Sequence, residues 1–344
     1  MSSLLQPVVV GNQLSLSNRV LMGSMTRNRC VNDCKPGNEQ IQHYSDRAKD
    51  GAGLIIAEGT FIDWQGCDWN CTLQDSGPGG KYRDLPGTPG HTHNITEIED
   101  PRDFVNMYRR SAVLARKAGF DGIELLAQGQ APAYGYLPQQ FLNWRANIRT
   151  DSYGGSVENR CRFILEVSDA LAELFGSEFV CIKICPTDQT NDSVVTYEEM
   201  KDVYIYLIEE LVKRRVGIIN LSRRGANHNT GTGDFFGNTT RPGDFPLPLD
   251  YDPVMDFGPL VKFPNSPSKL MANYDYTVDE ADRLVSDGKL DLITFSRPFI
   301  YNPDVIFRIQ HGIPFVENDR GSNIHYGPFE EPSQNYNDWP VAVS

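Results

Sequence analysis

The sequence predicts an α/β fold of the TIM-type (β/α)8 barrel class, on three observations. Short apolar stretches alternate with amphipathic ones along most of the chain, which implies a parallel sheet with right-handed crossovers. The apolar stretches end in residues able to do chemistry, as strand ends of such barrels do. No second composition regime interrupts the 344 residues, so a single domain spanning 1–344 is expected. A doubly wound sheet is the alternative. Against it, no Gly-x-Gly-x-x-Gly turn follows the first strand, and Gly231-Thr232-Gly233 sits in a loop without the third glycine.

The elements follow in order. Residues 7–16, PVVVGNQLSL, predict a hairpin turning at Gly11-Asn12. Residues 18–25 predict a strand. Asn38 to Lys49 predicts a helix with apolar and aromatic residues at helical spacing. Residues 53–62, GLIIAEGTFI, predict a strand buried on both faces. Residues 63–99 are rich in Gly, Pro, Asp, Asn and His without a period, and predict an irregular loop excursion. Asp100 and Pro101 then open a helix with Asp103 in its first turn. Its predicted face is Phe104, Tyr108, Ala112, Ala115 and Ala118, and Gly119 ends it. A strand at 122–126 follows, then a long loop, then a helix opened by Ser156 that buries Phe163, Ile164, Val167, Leu171 and Leu174. Strand 179–186, helix 197–214, strand 217–222 and a Gly/Pro-rich excursion to about 266 come next. Strand 269–273, helix 277–287 and strand 292–298 complete seven strands of the alternating pattern.

The formal charge of −13 argues against nucleic acid or an anionic membrane as partner. No apolar run approaches the roughly 20 residues of a membrane span. The N-terminus lacks a basic start and a long apolar stretch, so no secretory signal is expected. Seven cysteines without framework spacing point to a reduced, cytoplasmic setting. Cys67 and Cys71 with His91 and His93 are the nearest approach to a zinc pattern, but structural zinc sites use tighter pairs, and no metal is expected.

Several strand ends could carry chemistry. Lys183 lies mid-strand between Cys181 and Cys185, and alternation turns all three to one face. A lysine inside a packed sheet needs a negative charge. A flavin's pyrimidine edge and a core carboxylate, Glu58 or Glu124, are the two readings. Asn273 and Arg297 end the last two strands, where barrels frequently hold phosphate. Fixed N–H groups and a cation suit that ligand, and a surface ion pair is the alternative for Arg297. Tyr136, in a Gly-Tyr-Leu turn, is a candidate acid, with simple packing as the alternative. The pair Arg223-Arg224 reads as solvated, with a 2′-phosphate contact as the second reading.

The motifs LSNRVLMGSMTR (16–27), HYSDRAKDGAGLIIAEGTFI (43–62), AGFDGIEL (118–125), RTDSYGGSVENRCRF (149–163), SRPFIYNPD (296–304) and NYNDWP (335–340) occur in this order. The chain resembles the Old Yellow Enzyme family of flavin-dependent ene-reductases over most of its length, apart from much of 63–99. The resemblance implies an FMN-containing TIM barrel. It also implies hydride transfer from NADH or NADPH through the flavin to an activated alkene of a small molecule, with Tyr136 as proton donor. By position, Ser24, Met25 and Thr26 should line the flavin and Gly59 should lie against its ring. Lys183 should sit at the N1/C2 edge, where the family commonly has arginine, keeping the charge but not the planar fork. Ala272, Asn273, Ser296 and Arg297 should hold the phosphate.

Two departures stand out. No segment matches the family's third strand, so the barrel is expected to be incomplete or irregular there. The family's paired substrate donors after the fourth strand are also absent: the positions read Leu126 and Gly129, or Ala131 and Tyr134. Gln128, Gln130 or Tyr134 could substitute. Losing such donors removes preorganised stabilisation of developing charge. The expected function is an FMN-dependent NAD(P)H oxidoreductase reducing an activated C=C bond of a conjugated carbonyl compound, with a specialised biosynthetic intermediate as the expected substrate. A redox-neutral flavin-dependent isomerase and a degenerate, non-catalytic barrel are the alternatives. The sequence does not specify an oligomeric state.

Overall fold

The structure is a computed structural model and describes residues 2–31, 35–62, 98–128, 137–187, 194–223, 244–321, 324 and 329–342. The strands are β1 (Val8–Val10), β2 (Leu14–Leu16), β3 (Val20–Met22), β4 (Leu54–Ile55), β5 (Ile123–Leu126), β6 (Val180–Ile184), β7 (Ile218–Ser222), β8 (Lys269–Asn273) and β9 (Leu292–Thr294). β1 and β2 form the expected hairpin, Val8 opposite Leu16, with Gly11 left-handed at φ 55°. The seven further strands coincide with the seven predicted, each shorter at its ends except β8.

The chain forms two compact units. A terminal unit comprises residues 1–6, 17–97 and 294–344, and a central unit comprises 7–16 and 98–293.

In the central unit β5 to β9 run parallel in sequence order. The helices between them start where the sequence supplies an acceptor for orphan N–H groups. Asp100 accepts from Arg102 N at 2.9 Å ahead of Pro101–Lys117. Ser156 accepts from Asn159 N at 3.3 Å ahead of Val157–Phe175, and Thr196 forms a reciprocal box with Glu199 ahead of Tyr197–Lys213. Phe163, Ile164 and Val167 are fully buried as expected, and Leu174 only half. On Pro101–Lys117 the buried positions are Pro101, Val105 and Ala112, whereas Ala118, at the C-terminal cap, is exposed. Within the excursion before 266, Asp252 caps an unexpected short helix, Pro253–Phe257.

The segment 147–160 is ordered by its own side chains. Asn147 donates to Phe141 O at 2.8 Å and to Tyr153 O at 2.7 Å. Arg149 pairs with Asp151 at 2.6 Å, and Tyr153 Oη donates to Glu166 at 2.8 Å. A Cβ on Gly154 would lie 2.6 Å from the Arg149 carbonyl carbon, so only glycine fits that turn.

In the terminal unit β3 and β4 pair in parallel, Leu21 opposite Leu54. The predicted strand 53–62 is corrected here. Only Leu54 and Ile55 are extended in a ladder, and residues 53–58 are half-buried rather than buried on both faces. The physical reason is pairing: among the described residues β4 has a partner on one edge only, and a parallel strand is covered only between neighbours.

The helix Asn38–Asp50 also inverts its expected polarity. Ile41 is 61% exposed, while Gln40, His43 and Arg47 are buried. Arg47 donates to the carbonyls of Phe299 (twice, 3.0 and 2.9 Å), Ile300 (3.0 Å) and His43 (3.1 Å). His43 stacks on Tyr336 with centroids 4.1 Å apart. Asn337 Nδ2 donates to Glu39 O at 2.9 Å and to its carboxylate at 2.7 Å. The motifs 43–53 and 335–340 are thus two sides of one contact.

Candidate functional site

The two units carry separate shares of the sequence-derived site residues. In the terminal unit, β3 ends at Met22 and leads through Gly23 into Ser24, Met25 and Thr26, all three half-buried. A Cβ on Gly23 would collide with Ser296 Oγ and lie 3.3 Å from Thr294 Cβ, so glycine here lets the ends of the two segments approach. Met25 packs on the cluster Ile300, Ile324 and Trp339. Arg27 next to it is 1% exposed and donates to Ile324 O at 2.9 Å and Asn335 O at 2.7 Å. Its backbone N–H donates to Glu58 at 3.0 Å, and Gln40 donates to the other oxygen of that carboxylate at 2.8 Å. Gly59 is exposed, and a Cβ there would meet nothing within 4 Å, so a flat ligand has room against it. Ser296 and Arg297 are half-buried at the start of the short helix Pro298–Tyr301.

His43 reports on the polar interior of this unit. Burial first, then Arg47 and Arg27, depresses its pKa from 6.5 to about 2. The unfolded imidazole takes up a proton below its ordinary pKa and the folded one does not until about pH 2. Stability is therefore expected to fall as pH drops below 6.5, by about 1.4 kcal/mol per unit from this group. His43→Phe keeps a ring against Tyr336 and removes the titration. Denaturant unfolding from pH 7 to pH 4.5 should lose about one proton's worth of slope in that variant, and an unchanged slope would refute the assignment.

In the central unit, register places the side chains of Glu124, Leu126, Cys181, Lys183, Asn220 and Asn273 on one face of the sheet. Glu124 lies opposite Cys181, Leu126 opposite Lys183, Lys183 opposite Asn220, and Ser222 opposite Asn273. Lys183 is 7% exposed. Its side-chain amine makes no hydrogen bond or ion pair among the described residues. Both carboxylates weighed as its partner are engaged elsewhere: Glu58 as above, and Glu124 by Asn220 Nδ2 at 3.0 Å and Cys181 Sγ at 3.4 Å. Burial and the neighbouring Glu124 push the Cys181 thiol well above its ordinary range, so it is a neutral donor. A carboxylate only accepts, so Asn220 turns its NH2 to Glu124 and its oxygen to Asn273, whose Nδ2 donates at 2.6 Å. That chain orients Asn273, and sequence reading missed Asn220 and Glu124 as its supports. The only available signal was their parity with Lys183. Ala272 is fully buried beside it.

Arg223 corrects the expectation of a solvated pair. Its side chain is 8% exposed and paired with Glu280 at 2.6 Å; the reason is a carboxylate brought to it from the helix Val278–Ser286. Arg224 lies outside the described residues, as do Tyr136, Gly129, Gln130, Ala131, Tyr134, the Gly231-Thr232-Gly233 segment, Cys67, Cys71, His91 and His93. Leu126 presents an aliphatic side chain in register with Lys183. The amide oxygen of Gln128 is buried without a hydrogen-bond partner. Among the described residues no group of three or more His, Cys, Asp or Glu could hold a metal ion. No helix among them is long and apolar enough to cross a membrane.

Parallel strands with intervening helices define an α/β protein of the barrel type. The model of the NADH:flavin oxidoreductase / NADH oxidase family matches residues 3–74 and 72–315, and the chain belongs to that family. FMN and NAD(P)H are accordingly its cofactors, and its fold is the TIM-type barrel, with seven parallel strands among the described residues. The two matched stretches overlap at residues 72–74. A relative from Leishmania infantum, "Probable flavin mononucleotide-dependent alkene reductase", is 28% identical over 393 aligned positions, covering 98% of this chain and 97% of the relative. The 12-oxophytodienoate reductase 1 of Oryza sativa subsp. japonica is 26% identical, covering 98% and 92%. Morphinone reductase in complex with tetrahydroNAD superposes with a TM-score of 0.74 at 27% identity, covering 100% of this chain and 98% of that one.

Proposed function

We propose that this FMN-dependent oxidoreductase uses NAD(P)H to reduce the activated C=C bond of a conjugated carbonyl compound, with Tyr136 as the proton donor. The observation that carries the reading is the buried Lys183 ammonium, which has no counter-anion among the described residues and faces the same side as Asn273. An isolated buried cation is costly and suits a ligand that brings negative charge. The relatives named for alkene and 12-oxophytodienoate reduction support the same chemistry. Bound FMN supplies hydride transfer between the nicotinamide and the alkene.

The residues that would hold it are Ser24, Met25, Thr26, Gly59 and Lys183 for the ring and Ala272, Asn273, Ser296 and Arg297 for the phosphate. Gly59 leaves room for a ring, Lys183 supplies a charge, and Asn273 is pre-oriented by Asn220. Neither Leu126 and Gly129 nor Ala131 and Tyr134 supplies the family's donor pair, which favours a specialised substrate that brings its own polarisation or finds it elsewhere. A cytoplasmic setting is part of this reading, supported by four described cysteines that form no disulfide.

The test is spectroscopic. Purified protein should show a flavin spectrum that bleaches on anaerobic addition of NADPH or NADH and returns on addition of an α,β-unsaturated ketone, with saturated ketone as product. Bleaching followed by recovery with oxygen but with no unsaturated carbonyl tested would sink alkene reduction. Rearranged product without net nicotinamide oxidation would support the isomerase instead.

A further inference from the structure

We propose that Arg223 is a positioning residue for the FMN phosphate, clamping the loop after Asn273 in a left-handed conformation that aims its backbone N–H groups at an anion. The inference rests on the reading of Asn273 as a phosphate residue. Tyr274 and Asp275, directly after β8, have φ of 81° and 59°. Two successive non-glycine residues in that region are disfavoured by their own Cβ atoms and persist only where surroundings impose them.

Arg223 supplies the imposition. Its Nε donates to Tyr274 O at 2.9 Å and its Nη2 donates to Asp275 O. Its remaining fork is held by Glu280, Nη1 at 2.6 Å and Nη2 at 3.0 Å, and its Cζ lies 3.6 Å from the centre of the Tyr276 ring. The Arg223 backbone N–H donates to Asn273 O at 3.3 Å, so the same residue ties down both sides of the turn.

The consequence follows from peptide geometry. In a trans peptide the N–H points opposite to the C=O. Turning the carbonyls of Tyr274 and Asp275 to Arg223 turns the N–H groups of Asp275 and Tyr276 the other way, and neither donates to a backbone acceptor among the described residues. Successive outward N–H groups form an anion-binding concavity. A lysine at 223 could not serve two carbonyls and a carboxylate in one plane.

The test compares FMN with riboflavin, which lacks the phosphate. Both are titrated by flavin fluorescence into full-length protein stripped of its flavin, with folding checked by circular dichroism. Arg223→Ala should lower the preference for FMN over riboflavin by about tenfold or more, leaving riboflavin affinity nearly unchanged. Adding Tyr274→Gly and Asp275→Gly to Arg223→Ala should restore most of that preference, because glycine adopts the left-handed region without strain. A folded Arg223→Ala protein with the parent's preference, or a glycine pair that restores nothing, overturns the clamp. If Arg223→Ala does not fold, Glu280→Gln is the reporter: a several-fold loss of preference supports the proposal, and an unchanged preference overturns it. A parent protein that binds riboflavin and FMN equally overturns the Asn273 reading as well as the clamp.

Discussion

Lys183→Met should slow flavin reduction by NADPH about 10²-fold or more while making the flavin-free protein more stable than its parent. The two effects have one cause. Lys183 is 7% exposed, lies between Leu126 and Asn220 in register, and its side-chain amine makes no hydrogen bond or ion pair among the described residues. No ion pair among the described residues compensates its buried ammonium, so a methionine of similar length should raise the stability of the flavin-free protein by about 1–3 kcal/mol. If FMN sits as proposed, with its pyrimidine edge at Lys183, the same charge would stabilise the negative charge of the reduced ring, and a preorganised donor of this kind contributes on the order of 10²–10³ in rate. Stopped-flow bleaching and denaturant unfolding of the flavin-free protein read the two separately. Lys183→Arg should retain most of the rate, since it keeps the charge and adds the fork. A Lys183→Met protein less stable than its parent would mean that the amine has a structural partner after all.

Arg47→Ala should cost roughly 3–5 kcal/mol of stability, the largest loss expected from one side chain in the terminal unit. Arg47 is 1% exposed and donates four hydrogen bonds to three carbonyls, of which Phe299 and Ile300 follow directly on Arg297. Burial first, then Arg27, lowers its pKa from 12.5 to about 10, which still leaves it charged at neutral pH. Removal strands the buried carbonyls of Phe299 and Ile300 and opens a cavity. Arg47→Lys should recover less than half, because one ammonium cannot reach the same carbonyls in a plane. Since the segment 297–300 loses its anchor, FMN affinity should fall with stability. An unfolding free energy within about 1 kcal/mol of the parent would show that the helix Asn38–Asp50 is held by other contacts.

The elements that sequence determined were those whose causes are local. Alternation turned Cys181 and Lys183 to one face, and the structure has them there. Asp100, Pro101 and Ser156 opened helices because the acceptor and the orphan N–H lie within three residues of each other. The motif 149–160 was recognisable because its hydrogen bonds, from Asn147, Arg149 and Tyr153, close within that stretch and its flanks.

Tertiary structure decided what depends on partners far along the chain. The helix Asn38–Asp50 was expected to turn its apolar and aromatic residues inward, and nothing local shows that Arg47 is buried instead, because its acceptors Phe299 and Ile300 lie some 250 residues away. Arg223 read as solvated because Glu280 and the carbonyls of Tyr274 and Asp275 are separated from it by a helix and a strand. Strand β4 was predicted buried on both faces from its apolar composition, yet burial requires a neighbour on each edge, and among the described residues it has one. Composition sets what a segment can bury. Whether it is buried depends on which distant groups arrive to satisfy its polar atoms and cover its edges.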